Sequence, residues 1–124
     1  MSSSKEQELG KAGELAACRF LKSQGYRVLA RNFGCPAGEI DLICREADCI
    51  VFVEVKTRSD DAPADPEANI TPRKQRRLEE AARIWLARHR WPDCAYRFDA
   101  VSVIIPETGE ANVRHIRDAF LPSF

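Results

Sequence analysis

The sequence predicts a mixed α/β sheet of about five strands flanked by helices, in the order α-β-β-β-α-β-β. Three observations carry this. Two segments repeat apolar residues at helical spacing, and five shorter ones read as strands. The first three strands are joined by connections that suit antiparallel pairing, and the second helix is a crossover that should return the next strand parallel to a neighbour. The length of 124 residues suits one domain over residues 1–124, since domains commonly run to ~100–150 residues.

Residues 5–24 predict an amphipathic helix, with Leu9, Ala12, Gly13, Ala16, Ala17, Phe20 and Leu21 on one stripe and Gly25 closing it. Tyr26 to Ala30 reads as a short strand. Asn32, Gly34, Pro36 and Gly38 give residues 31–38 the composition of a loop. Glu39 to Arg45 and Cys49 to Lys56 read as a hairpin turning near Ala47-Asp48. The run Ile50-Val51-Phe52-Val53 is apolar on both faces, as in a central strand. Ser59 to Asn69, acidic and proline-containing, reads as a mobile loop. Thr71-Pro72 is an N-cap followed by proline at the first helical position, and Leu78, Ala81, Ala82, Trp85 and Leu86 mark a helix to about His89, broken by Trp91-Pro92-Asp93. Tyr96 to Ile105 and Ala111 to Ile116 are the last two strands.

Composition excludes several classes. No apolar run approaches the ~20 residues of a membrane span, and the N-terminus has no apolar stretch after its charges, so no membrane or secretory role is expected. Five cysteines without a Cys-x-x-Cys predict neither a disulfide framework nor a cysteine zinc site, and a cytoplasmic location fits. Net charge is zero, but residues 38–70 hold nine acidic and three basic groups, and residues 71–90 hold seven basic and two acidic. Such a field can grip a polyanion beside a cation site, but charge alone favours the solvated face of an ordinary helix.

Side-chain alternation puts Glu54 and Lys56 on one face of the second hairpin strand, ~6.5 Å apart. If the hairpin turns on Ala47-Asp48, residues whose numbers sum to 95 pair across it. Asp41 then stands opposite Glu54, ~5 Å away at the β-carbon. Facing carboxylates repel unless a cation lies between them, and Mg²⁺ takes one or two carboxylates with waters. Lys56 would stand beside that ion and stabilise charge on a phosphate. The alternative is an exposed sheet face on which Glu54 and Lys56 pair with each other. Glu14 is either a boundary residue of the first helix or a third carboxylate reaching over the sheet. Asp99 is a partner behind such a site or a polar group on a strand face. Arg73, Lys74, Gln75, Arg76 and Arg77 either contact phosphate or form a solvated first turn. His89 and His115 are read as structural.

The same residues carry a resemblance. Glu14, Gly38-Glu39-Ile40-Asp41-Leu42-Ile43 and Val51-Phe52-Val53-Glu54-Val55-Lys56-Thr57-Arg58 resemble the PD-(D/E)XK nuclease superfamily, in the branch of archaeal-type Holliday-junction resolvases. Still closer, the chain is similar to the bacterial YraN-type family of small endonuclease-like proteins, with Arg97-Phe98-Asp99-Ala100-Val101 and Ile116 to Phe120 extending the likeness over nearly the whole chain. The resemblance implies a restriction-endonuclease-like sheet. It implies Asp41 and Glu54 as ligands of Mg²⁺ or Mn²⁺ with the Val55 carbonyl as a third, Lys56 as the catalytic lysine and Glu14 as an outer carboxylate. DNA is the implied partner, with Arg58, Arg73, Lys74, Gln75 and Arg77 as candidate contacts, and a homodimer would let two sites cut a four-way junction. Two departures stand out: Ile40 occupies the place of the superfamily's proline, and Gly34 the place of a basic loop residue.

The leading expectation is therefore a metal-dependent endonuclease acting on branched or structured DNA. A non-catalytic nucleic-acid-binding module on the same fold would bind without turnover. An adaptor using the acidic stretch 59–69 would bind protein rather than DNA.

Overall fold

The computed structural model describes residues 2–60, 70–90 and 95–122. Its elements are α1 (Ser2–Ser23), β1 (Arg27–Cys35), β2 (Gly38–Glu46), β3 (Cys49–Ser59), α2 (Pro72–Arg88), β4 (Ala95–Ile105) and β5 (Asn112–Phe120). This is the expected α-β-β-β-α-β-β order. The strands form one sheet in the order β1-β2-β3-β4-β5. Among the described strands only β3 and β4, joined through α2, run parallel; the other neighbours are antiparallel.

The two helices cover opposite faces. Leu78, Ala82 and Trp85 of α2 pack with Ile43, Ile50, Phe52 and Phe98. Ala17 and Leu21 of α1 pack with Leu42, Val51, Val53 and Val101. β3 serves both layers, so Ile50, Val51, Phe52 and Val53 are all fully buried, as the apolar run required. Each helix is closed as its sequence dictates. The Tyr26 N–H donates to the Leu21 carbonyl and the Gly25 N–H to that of Lys22, with Gly25 at φ +91° where a side chain would be strained. Thr71 accepts from the Lys74 N–H at 3.2 Å, and Pro72 opens α2.

Three strands run further than expected: β3 continues past Lys56 to Ser59, pairing with β4 throughout, so Ser59 belongs to the sheet and not to the loop. Residues 31–35 belong to β1, not to a loop, and return to β2 through Pro36-Ala37. β1 is an edge strand, where a register shift near Val28–Ala30 and Asn32 at φ 52° are tolerated because one side needs no partner. β5 continues past Ile116 to Phe120, which pairs with Phe98 after a second register shift, with Asp118 at φ 50°. The sequence breaks at 61–69 and at Trp91-Pro92-Asp93 lie outside the described residues. Among the described residues, Cys18, Cys35, Cys44 and Cys49 are free thiols, and no helix is long and apolar enough to cross a membrane.

Gly13 sets how closely α1 approaches the sheet. A β-carbon there would collide with the Thr57 side chain, including Thr57 Cβ at 2.7 Å, an atom that rotation cannot remove. Gly13→Ala is expected to destabilise by about 1–3 kcal/mol despite alanine's better helix propensity. Chemical denaturation measures it, and Thr57→Ala in the same chain should restore part of the loss.

Candidate functional site

The β2–β3 ladder follows the expected register: Glu46 pairs with Cys49 and Leu42 with Val53. Its last recorded pair is Leu42–Val53, one step short of Asp41 and Glu54. There the Val55 N–H donates to Asp41 Oδ2 at 2.8 Å. The carboxylate thus holds a backbone group of β3 at the point where the two strands part.

Asp41 and Glu54 meet in a cavity of about 240 Å³, lined also by Gly38, Glu39, Lys74, Arg77 and Leu78. Burial and then the neighbouring Glu54 push the Asp41 carboxyl up to about 7, against the Val55 N–H and the Lys74 charge. In its protonated form Asp41 can donate to Glu54. Glu54 is 13% exposed, and Lys74 Nζ lies 2.9 Å from its Oε2. That contact is an ion pair without hydrogen-bond geometry: Oε2 is buried and has no hydrogen-bond partner among the described residues. Lys74 therefore offsets part of the charge of the pair, and burial beside Glu54 favours the protonated form of Asp41.

Glu14 comes over the same place from the other face. Burial and the Asp41 charge push its carboxyl up, while a hydrogen bond from Asn32 opposes them. Gly13 makes this approach possible, and Asn32 uses its left-handed backbone beside Glu14. Neither role was apparent from sequence; the signal was an asparagine in an edge strand and a glycine inside a helix stripe.

The other candidates are dispersed. Lys56 is exposed on β3 two residues beyond Glu54, and Arg58 is half-buried further along. Val55 borders the carboxylates through its N–H. Gln75 donates its side-chain amide to the Ile70 carbonyl at 2.8 Å. Arg73 lines a neighbouring groove, and Arg77 lines both. Among the described residues, no three His, Cys, Asp or Glu side chains gather at metal-binding spacing. The donors available to a cation are thus two carboxylates, backbone carbonyl and water. The unbonded Glu54 oxygen, already facing an ammonium, suits a hard cation.

Asp99 lies on the α1 face, away from Glu54, inside a network the sequence did not reveal. It accepts from Arg97 Nε at 3.0 Å and Nη2 at 3.2 Å, from the Asp118 N–H at 3.1 Å, and meets His115 Nε2 at 2.7 Å. Burial pushes its carboxyl up, but the bonds from His115, Arg97 and Asp118 outweigh burial and hold it below the usual carboxylate range. Arg97 also reaches the Tyr26 hydroxyl and Glu46, and Arg117 joins both. His115 is thus tied into this network, and His89 stacks on Trp85 at 4.2 Å between ring centres.

Fold and site together define a small mixed-sheet α/β protein with a half-buried carboxylate pair where two strands diverge beneath a basic helix. The chain belongs to UPF0102, an uncharacterised protein family, whose model matches residues 13–103. That span includes Glu14, Asp41, Glu54, Lys56 and Lys74. Relatives named only as UPF0102 proteins include one from Geotalea daltonii, 45% identical over 112 residues, covering 90% of this chain and 88% of the relative. Another, from Caldicellulosiruptor saccharolyticus, is 43% identical over 116 residues, covering 93% and 98%. A third, from a Parafrankia species, is 44% identical over 115 residues, covering 92% and 97%.

Proposed function

We propose that this protein is a metal-dependent DNA endonuclease of PD-(D/E)XK type, hydrolysing phosphodiester bonds in branched or structured DNA as Holliday-junction resolvases do. The observation that carries this reading is the half-buried Asp41–Glu54 pair, with Lys74 against Glu54 and the Asp41 carboxyl pushed up by burial and by Glu54. Facing carboxylates are costly, and a protein that needs no cation there gains nothing by keeping both. Asp41, Glu54 and the Val55 carbonyl would hold Mg²⁺ or Mn²⁺. Such an ion, when bound, supplies a more acidic water and offsets charge on the phosphate.

The chain's own groups do the rest. Lys56 donates to a phosphate oxygen and stabilises the charge that grows on it. Glu14 holds a water by accepting a hydrogen bond from it. Arg58, Arg73, Lys74, Gln75 and Arg77 bind the DNA backbone, so affinity falls with salt. A homodimer would set two such sites across a four-way junction.

The test is cleavage of end-labelled four-way junction, flap and linear duplex with Mg²⁺, Mn²⁺ or EDTA. Cutting of the branched substrates is expected only with metal. It should vanish in Glu54→Ala and fall by about 10²–10³-fold in Lys56→Ala. Undiminished cutting by Glu54→Ala would overturn the assignment. The Lys74–Glu54 ion pair favours a second reading, in which the site carries its own cation permanently and the fold binds DNA without turnover. Binding with no cleavage in either metal would select that reading.

A further inference from the structure

A larger cavity, about 540 Å³, opens beside the carboxylate site and shares Arg77 with it. Arg73, Arg76, Arg77, Glu80 and Ile84 of α2 form one wall, and the Pro36-Ala37 turn between β1 and β2 forms the other. The three arginines are exposed. Among the described residues none of them makes an ion pair or hydrogen bond, although Glu80 lies one turn away. Three unpaired guanidiniums converging on one groove repel each other and oppose the dipole of their helix; an anion relieves both.

The groove holds more than a phosphate needs. Pro36, Ala37 and Ile84 give it an apolar surface of the kind against which a base face packs. Glu80 would repel a phosphate, but it accepts hydrogen bonds from the N–H edge of a base. The volume lies within the range of small-ligand sites, roughly 300–1,000 Å³.

We propose that this groove seats one unpaired nucleotide of single-stranded DNA beside the bond to be cut. Its phosphates lie on Arg73, Arg76 and Arg77, its base against Pro36, Ala37 and Ile84, and its N–H edge toward Glu80. The choice of DNA rests on the endonuclease reading above. A base inside a duplex is stacked and its pairing edge is occupied, so it cannot enter. The substrates selected are therefore those with a single-stranded arm next to the site.

Fluorescence anisotropy in EDTA separates binding from cleavage. The probes are a labelled single strand, the blunt duplex of the same sequence, and that duplex carrying a single-stranded arm. The single strand and the armed duplex should bind about tenfold or more tighter than the blunt duplex, matching the stacking of at least one base. The Arg73→Ala, Arg76→Ala double variant should lose that margin, lower the salt slope by about 1–2, and melt as the wild type does. Equal binding of blunt duplex and single strand, or a margin that survives the double variant, would overturn the proposal. A margin that depends on these arginines, with no cleavage in any metal, would uphold the groove and remove the endonuclease reading. Metal-dependent cleavage without the margin would uphold the endonuclease and remove the groove.

Discussion

Asp41→Asn is expected to make the metal-free protein more stable, by an amount that grows with pH. In the unfolded chain this carboxyl ionises near its ordinary 3.8, whereas in the fold it keeps its proton to about 7. Between those values the unfolded state releases a proton that the folded state retains, so stability declines as pH rises through the interval and is flat above it. At ~1.4 kcal/mol per unit, the loss by pH 8 is about 4 kcal/mol, and near pH 5 about 1–2. Asparagine carries no charge. Its oxygen can still accept from the Val55 N–H, and its amide can donate to Glu54. Urea unfolding in EDTA near pH 5 and pH 8 tests this. Parallel pH profiles for wild type and variant would show that Asp41 is ionised in the fold throughout.

Asp99→Ala acts in the opposite direction. It removes the acceptor of two Arg97 bonds, of the Asp118 N–H and of His115, at a side chain with no exposure at all. Breaking one partner out of a buried ionic network costs about 3–5 kcal/mol. That corresponds to a drop in melting temperature of roughly 10–20 °C for a domain of this size. Asp99→Asn, which keeps an acceptor for the Asp118 N–H, should lose less. Because Asp99 faces α1 while Glu54 faces α2, cleavage measured well below the melting temperature should persist. A variant that melts normally but no longer cuts would place Asp99 in the reaction instead.

The hairpin register was legible because Ala47-Asp48 leaves one way to align two apolar runs. Counting outward from that turn places Asp41 opposite Glu54. The caps of α2 were equally plain in Thr71-Pro72. What was hidden depends on contacts distant in sequence. Lys74 is one of several cations at the start of α2, and nothing local marks it as the one that reaches Glu54. Arg97 and Asp99 share a strand face by spacing, but Tyr26, His115 and Arg117 join them only through packing. The end of β5 was missed because Arg117 and Asp118 look like loop residues, yet Glu46 and the Asp99 carboxylate satisfy them. Asn32 and Gly34 disguised β1, because an edge strand tolerates residues that a central strand would reject.

The one parallel pairing, β3 with β4, also governs when the site comes into being. Antiparallel hairpins close from the turn outward, with little chain to gather. β4 can dock on β3 only after the intervening segment with α2 has been drawn across the sheet, and long loops close at a higher entropic cost. Asp41 and Glu54 belong to the early hairpin, whereas Lys74 and the arginine groove arrive with the crossover. A chain emerging from the ribosome therefore carries its two acids, with Lys56 and Arg58 on the same hairpin, well before Lys74 and the α2 arginines come to lie beside them.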